Sequence, residues 1–309
     1  MPLGEPFHAL SARVVRRPLV SGPLLSGAVV SGPVESVDLA ARRVGRGRPV
    51  VLLHGLFGSA RNWQAIVTRL AGEAEWHVLD LRNHGESPWS PVMDYPHLAA
   101  DVARYIERVG LGPVPVIGHS MGGKAAMMLA LQTPRWISHL GVLDIAPGPS
   151  PGMEGLDRVI GALMALPLAE VARREDAEAL LAEALPETRL RAFLLQNLVR
   201  AEQGGFRWRL NLPALAAALP VLGDFPPLAA GVSWSGPTLV VRGGLSAYVP
   251  DSARPGLAAL FPALRLVTLK GAGHWLHADQ PEALATVLET FVRRAGQDPR
   301  PSLPADPRP

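Results

Sequence analysis

Short runs of consecutive apolar residues recur along the chain, at 50–53, 76–81, 114–117, 140–145, 238–241 and 264–269, with helical patterns between them. They lack the strict apolar–polar alternation of a strand with one wet face. Such runs suit strands covered on both faces, and their alternation with helical patterns predicts a mostly parallel, doubly wound α/β sheet with crossover helices. Between about 149 and 232 that rhythm stops. Amphipathic helical patterns over 168–185 and 187–200 follow one another there with no strand predicted between them, which reads as an inserted helical cap. An insertion at the C-terminal edge of such a sheet would overhang the place where open α/β sheets bind ligands.

The two ends read differently. Ser-Gly-Pro repeats over 21–33 and the prolines at 299, 301, 304, 307 and 309 give segments that can bury little apolar surface. The expected organisation is a flexible extension over 1–33, an α/β core over 34–148 and 233–295, a helical cap over 149–232 and a disordered tail over 296–309.

Composition narrows the function classes. A chain of 309 residues that is 48% hydrophobic can build a large core. Net charge is only +3 and the arginines are scattered without a basic run, so no nucleic-acid partner is expected. The absence of cysteine excludes disulfides, thiolate chemistry and cysteine metal sites. No run of about 18 uncharged apolar residues marks a membrane span. Residues 6–34 lack any acid and carry Arg13, Arg16 and Arg17, faintly like a targeting segment. Four prolines break its apolar stretch, so a flexible extension and a cytoplasmic protein are the expectation.

Gly118-His119-Ser120-Met121-Gly122, directly after an apolar run and before a helix-forming stretch, reads as a nucleophile elbow. A serine hydroxyl is a poor nucleophile at neutral pH, so it must be exposed on a sharp turn and served by a base. Glycines two residues either side of Ser120 let strand and helix pass closely. His54-Gly55-Leu56-Phe57-Gly58 follows another strand and matches a loop that turns a backbone amide toward such an elbow. Leu56 is the first choice for that oxyanion donor, Phe57 the alternative, and Met121 supplies the second amide. His54 itself reads as a packing residue. His274, in Gly271-Ala272-Gly273-His274, is the expected base, late in the chain as the order serine, acid, histidine requires. His277 is expected near the start of the closing helix. No His-Glu-x-x-His or carboxylate cluster is present, so no metal and no cofactor are expected.

Two carboxylates compete to orient the base. Asp144, at the end of the strand after the elbow helix, is preferred over Asp251, which resembles a helix cap in Pro250-Asp251-Ser252. Asp80 reads as a turn acceptor in the polar loop with Arg82, Asn83 and His84. Lys124, one turn after Ser120, reads as half of a buried ion pair. Trp63, Trp208 and Trp275 read equally well as walls of an acyl pocket or as core aromatics.

Taken together, HGLFGSARNW (54–63), DLRNHGES (80–87), VMDYPHLAADV (92–102), GHSMGGKAAM (118–127), LDIAP (143–147), RGGLSAYV and GAGHWLHAD make residues 34–295 resemble the α/β-hydrolase superfamily. The branch most similar is that of bacterial acyl esterases related to mitochondrial abhydrolase-domain proteins. Most members carry the orienting aspartate where this chain has Ser246; this branch resembles a variant with the acid after the sixth strand. The resemblance therefore implies Asp144 as acid and Ser246 as a hydroxyl that orients it or the histidine. It also implies cleavage of acyl esters through an acyl-enzyme. A thioesterase with the same triad is the alternative, and an inactive binding protein on this fold is the rival from another class.

Overall fold

The structure is a computed structural model that describes residues 34–298; the expected N-terminal extension and residues 299–309 lie outside the described residues. The predicted runs form strands at nearly their expected places: β2 (Pro49–Leu53), β3 (Glu75–Leu79), β4 (Val114–His119), β5 (Ile137–Leu143), β8 (Thr238–Gly243) and β9 (Leu264–Leu269). A strand not expected from the sequence, β1 (Ala41–Gly45), precedes them. The sheet order is β1-β3-β2-β4-β5-β8-β9, with β1 antiparallel to β3 and every other pair parallel.

Both faces of the sheet are covered, which is why its strands show no clean alternation in sequence. Val51, Leu53, Val116, Leu140, Val142 and Val240 point to one buried cluster. Helices α2 (Tyr95–Val109) and α3 (Met121–Gln132) line it. Val50, Leu52, Trp76, Val78, Ile117 and Val241 point to the other, against α1 (Gln64–Arg69) and α10 (Pro281–Gln297). Local signals fix the helix ends. Asp94 caps α2 by accepting the His97 amide at 2.8 Å, and Gly110 ends it at φ 71°. Helix α10 runs two residues into the segment expected as a tail.

Between β5 and β8 lie α4 (Leu156–Ala165), α5 (Arg174–Leu181), α6 (Thr188–Leu195) and α7 (Leu212–Leu222). The sequence expectation is corrected in two respects here. The 168–185 pattern is not one helix: Asp176 accepts the Ala172 and Arg173 amides and starts α5 only after a break. The 187–200 pattern also ends early, in a hairpin of β6 (Leu198–Arg200) and β7 (Phe206–Trp208). Gly204 and Gly205, both at positive φ, turn that hairpin. Helices α8 (Arg254–Leu260) and α9 (Leu276–Asp279) complete the core.

Lys124 is buried as expected but, among the described residues, forms no ion pair with a carboxylate. Its ammonium donates to the Gly148 carbonyl (2.7 Å), Ser150 Oγ (2.7 Å) and the Asp224 carbonyl (3.0 Å). Burial lowers its pKa to about 8, with the Asp224 charge opposing. One side chain of α3 thus joins the chain leaving β5, at Gly148 and Ser150, to Asp224, which follows α7. Among the described residues no helix is long and apolar enough to cross a membrane.

Candidate active site

Strand β4 delivers Ser120 at a sharp turn, with φ 52° and ψ −120°, before α3 begins. Serine carries a β-carbon, so this backbone is strained and is held by its surroundings. The Ser120 amide donates to the Leu143 carbonyl at 3.0 Å. A β-carbon at Gly118 would overlap the Gly122 carbonyl, and one at Gly122 would overlap the His54 carbonyl. Only glycine lets strand, elbow and helix approach this closely.

Loop 270–275 after β9 brings His274 over the elbow. Its Nε2 lies 2.9 Å from Ser120 Oγ, and its Nδ1 lies 2.8 Å from Asp144 Oδ2. Asp144 is fully buried at the end of β5, also at positive φ (53°). Its Oδ1 accepts the Gly243 amide at 2.8 Å, and its Oδ2 also accepts the Ser246 hydroxyl. Asp251, the second choice for the acid, is not at the site: it is 84% exposed and pairs with Arg242 at 2.7 Å. Strand order explains the difference, because β5 ends beside β4 and points Asp144 at the histidine loop.

The two candidate oxyanion amides also separate. The Phe57 amide is taken by His84 Nε2 at 3.2 Å. Among the described residues the Leu56 amide has no acceptor, and Met121 stands at the first helical position, where none is supplied by the helix. Gly55 lies directly against Ser120, so this loop faces the elbow.

Neighbouring groups to which the sequence assigns no role complete the arrangement. Buried His119 donates Nε2–H to the His274 carbonyl at 2.7 Å and so anchors the histidine loop. Burial, reinforced by the charges of His274 and His277, holds its pKa well below the usual histidine value. Tyr248 stacks on the His274 ring with centroids 3.6 Å apart and planes 15° from parallel, and its amide donates to Ser246 Oγ at 3.2 Å. Burial, then the Asp144 charge, raises the Tyr248 pKa and keeps the phenol protonated. No motif spacing identifies either residue; both act through tertiary contact.

Other expectations resolve as packing. His54 donates Nδ1–H to the Gly55 carbonyl and accepts the Leu81 amide at Nε2, and burial pulls its pKa down to about 4. Asp80 accepts the Ala60 and Glu86 amides. Arg82 makes a buried two-pronged pair with Asp101 (2.6 and 2.7 Å). Trp208 donates to the Leu163 carbonyl and does not line the cavity, whereas Trp63 and Trp275 do. His277 lies in α9 and packs on Trp63, 5.0 Å between ring centroids.

Ser120 and His274 open onto a cavity of about 460 Å³. Phe57, Leu156, Leu190, Phe193, Leu222 and Tyr248 are among its walls, and the exposed Glu187 and Arg189 stand at its rim. Arg189 pairs with Asp279 and lies over the Trp275 ring at 4.9 Å. Among the described residues no three His, Asp or Glu side chains group to hold a metal ion.

A strand–elbow–helix turn, a hydrogen-bonded serine, histidine and aspartate, and two uncommitted amides on a mostly parallel sheet define a serine hydrolase of α/β-hydrolase architecture. Residues 50–287 match the family described as the alpha/beta hydrolase family, and the chain belongs to it. Among its relatives is the Xenopus laevis protein named sn-1-specific diacylglycerol lipase ABHD11, 38% identical over 81% of each chain. Esterase YbfF of Escherichia coli is 35% identical over 79% of this chain and 92% of its own. A solved structure titled marine microorganism esterase superposes with a TM-score of 0.79 at 36% identity, covering 82% of this chain and 99% of that one. The protein is a carboxylesterase-type serine hydrolase.

Proposed function

We propose that the protein cleaves small carboxylic esters, with Ser120 as nucleophile, His274 as base and acid, Asp144 as the orienting carboxylate, and the Leu56 and Met121 amides as the oxyanion hole. The observation that carries this is the unbroken chain from Ser120 Oγ through both ring nitrogens of His274 to Asp144 Oδ2, at 2.9 and 2.8 Å. Both distances are those of working hydrogen bonds.

Ser120 Oγ bonds to the acyl carbon while its proton passes to His274 Nε2, and the carbonyl oxygen becomes an oxyanion facing the two amides. The intermediate collapses as the imidazolium returns that proton to the departing alcohol, leaving an acyl-serine. Water then repeats the sequence, releases the carboxylic acid and restores the serine. Asp144 holds Nδ1–H toward itself, so Nε2 is free to accept, and its charge stabilises the imidazolium. Ser246 and the Gly243 amide fix the carboxylate in that pose. We assign residues 149–232 as a cap, because they contribute Leu156, Leu190, Phe193 and Leu222 to the cavity.

The apolar walls fit an acyl chain. Burying one methylene contributes about 0.8 kcal/mol, so kcat/KM should rise by up to about fourfold per added carbon until the cavity is full. A panel of p-nitrophenyl esters from acetate to palmitate, with the matching CoA thioesters, checks this. A maximum on an oxygen ester followed by a fall supports the proposal. Faster turnover of the thioesters would make the protein a thioesterase, and no turnover of either series would leave a binding protein.

A further inference from the structure

The Leu56 amide is useful only if its loop holds one conformation, and the loop does so at a cost. Gly55 to Gly58 form a tight turn closed by the Gly58 amide on the Gly55 carbonyl at 3.0 Å. Within it Phe57, which is buried, sits at φ 60°, a left-handed conformation that a side chain with a β-carbon disfavours. Such a conformation persists only where the surroundings overdetermine it.

Two side chains from other parts of the molecule do so. His84 accepts the Phe57 amide at Nε2 (3.2 Å) while its Nδ1–H donates to the Arg82 carbonyl (2.9 Å). That second bond fixes the tautomer that leaves Nε2 an acceptor. Burial, then the neighbouring His54, drives the His84 pKa down to about 3, so the ring stays neutral. On the opposite side Asn197 donates Nδ2–H to the Phe57 carbonyl at 2.8 Å. Asn197 belongs to the inserted segment, is 3% exposed, and is pinned by a second bond to the Leu194 carbonyl and by the Arg209 amide on its own carbonyl. Its neighbour Gln196 accepts from Asn62, whose Oδ1 receives the Ser59 amide one residue past the turn.

We propose that His84 and Asn197 are positioning residues for the oxyanion hole: they grip the Phe57 backbone from both sides and thereby hold the Leu56 amide facing Ser120. The inference rests on the serine-esterase reading above. With either grip lost, Phe57 relaxes toward negative φ, the adjoining peptides rotate, and the Leu56 amide leaves its line to the oxyanion. The inserted segment is then part of the catalytic apparatus as well as a wall of the cavity. Helix α6, which carries Leu190 and Phe193 to that cavity, ends two residues before Asn197, so acyl-chain contacts and the oxyanion donor share one short stretch of chain.

The test compares Asn197→Leu, which nearly keeps the shape and removes the donor, with the pair His84→Leu and His84→Gln, of which only the glutamine can still accept the amide. A displaced donor loses less than the 10²- to 10³-fold of a deleted one. Asn197→Leu and His84→Leu should therefore lower kcat on p-nitrophenyl butyrate about ten- to a hundredfold with KM little changed. Affinity for an alkyl trifluoromethyl ketone, which forms the tetrahedral adduct, should fall by a similar factor. Binding of an unreactive ether of the same chain length should stay constant, and His84→Gln should recover most of the loss. A raised KM with kcat intact, or lost kcat with unchanged ketone affinity, would overturn the proposal. If Asn197→Leu does not fold, the two His84 variants carry the comparison. A wild type that cleaves no ester would sink the functional reading; an active wild type matched by all variants would sink only this inference.

Discussion

Replacing Ser120 with alanine is expected to lower kcat on p-nitrophenyl butyrate by roughly 10⁶-fold, the scale of nucleophile loss in serine hydrolases. Among the described residues, the hydroxyl's one side-chain hydrogen bond is to His274. Alanine occupies the same φ of 52° with the same β-carbon, so the elbow backbone should persist. Thermal unfolding should then shift little, separating a chemical loss from a folding loss. On the proposed assignment, the residual rate is that of water attack on an ester whose oxyanion is still held by the Leu56 and Met121 amides. A variant retaining more than a tenth of wild-type turnover would remove Ser120 from its role.

Asp144→Asn should cost about 10⁴-fold in kcat, through the tautomer rather than through lost space. The introduced carboxamide can still accept the Gly243 amide with its carbonyl oxygen, which turns its NH₂ toward His274 Nδ1. The ring must then carry its proton on Nε2, where it faces Ser120 as a donor and cannot take the serine proton. Asp251→Asn, at an exposed ion pair worth about 0–1 kcal/mol, should leave the rate within a few-fold. Ser246→Ala removes one of the bonds that fix the carboxylate and should fall between the two. The same kinetic assay on the three variants decides the acid, and a large loss in Asp251→Asn with none in Asp144→Asn would move the role.

Much of this site is legible in the sequence because its chemistry depends on local geometry. Ser120 is betrayed by the glycines its turn requires, and Asp144 by a strand end next to the elbow's own strand. The parallel sheet shows through apolar runs that both faces bury. The unread parts are those made by contacts between distant segments. Strand β1 carries Arg42 and Arg43 and pairs antiparallel at the sheet edge, so it lacks the apolar signature of a central strand. The β6–β7 hairpin is three residues a side, too short for periodicity to register. Lys124 reads in sequence as a partner for a carboxylate, yet the carbonyls of Gly148 and of Asp224, 76 residues apart, converge on it, which spacing along the chain does not reveal. Asn197 is one amide within an apolar helical pattern, and only the folded inserted segment brings it to Phe57.

The central claim, that Ser120 attacks through an acyl-type covalent intermediate with His274 as base, is tested most directly by trapping the serine. Incubation with an alkyl fluorophosphonate followed by intact-mass and peptide mass spectrometry should give one stoichiometric adduct on the peptide bearing Ser120. The adduct should form far more slowly in His274→Ala and be absent in Ser120→Ala. An active enzyme that stays unlabelled, or carries the adduct on another residue, would contradict the account.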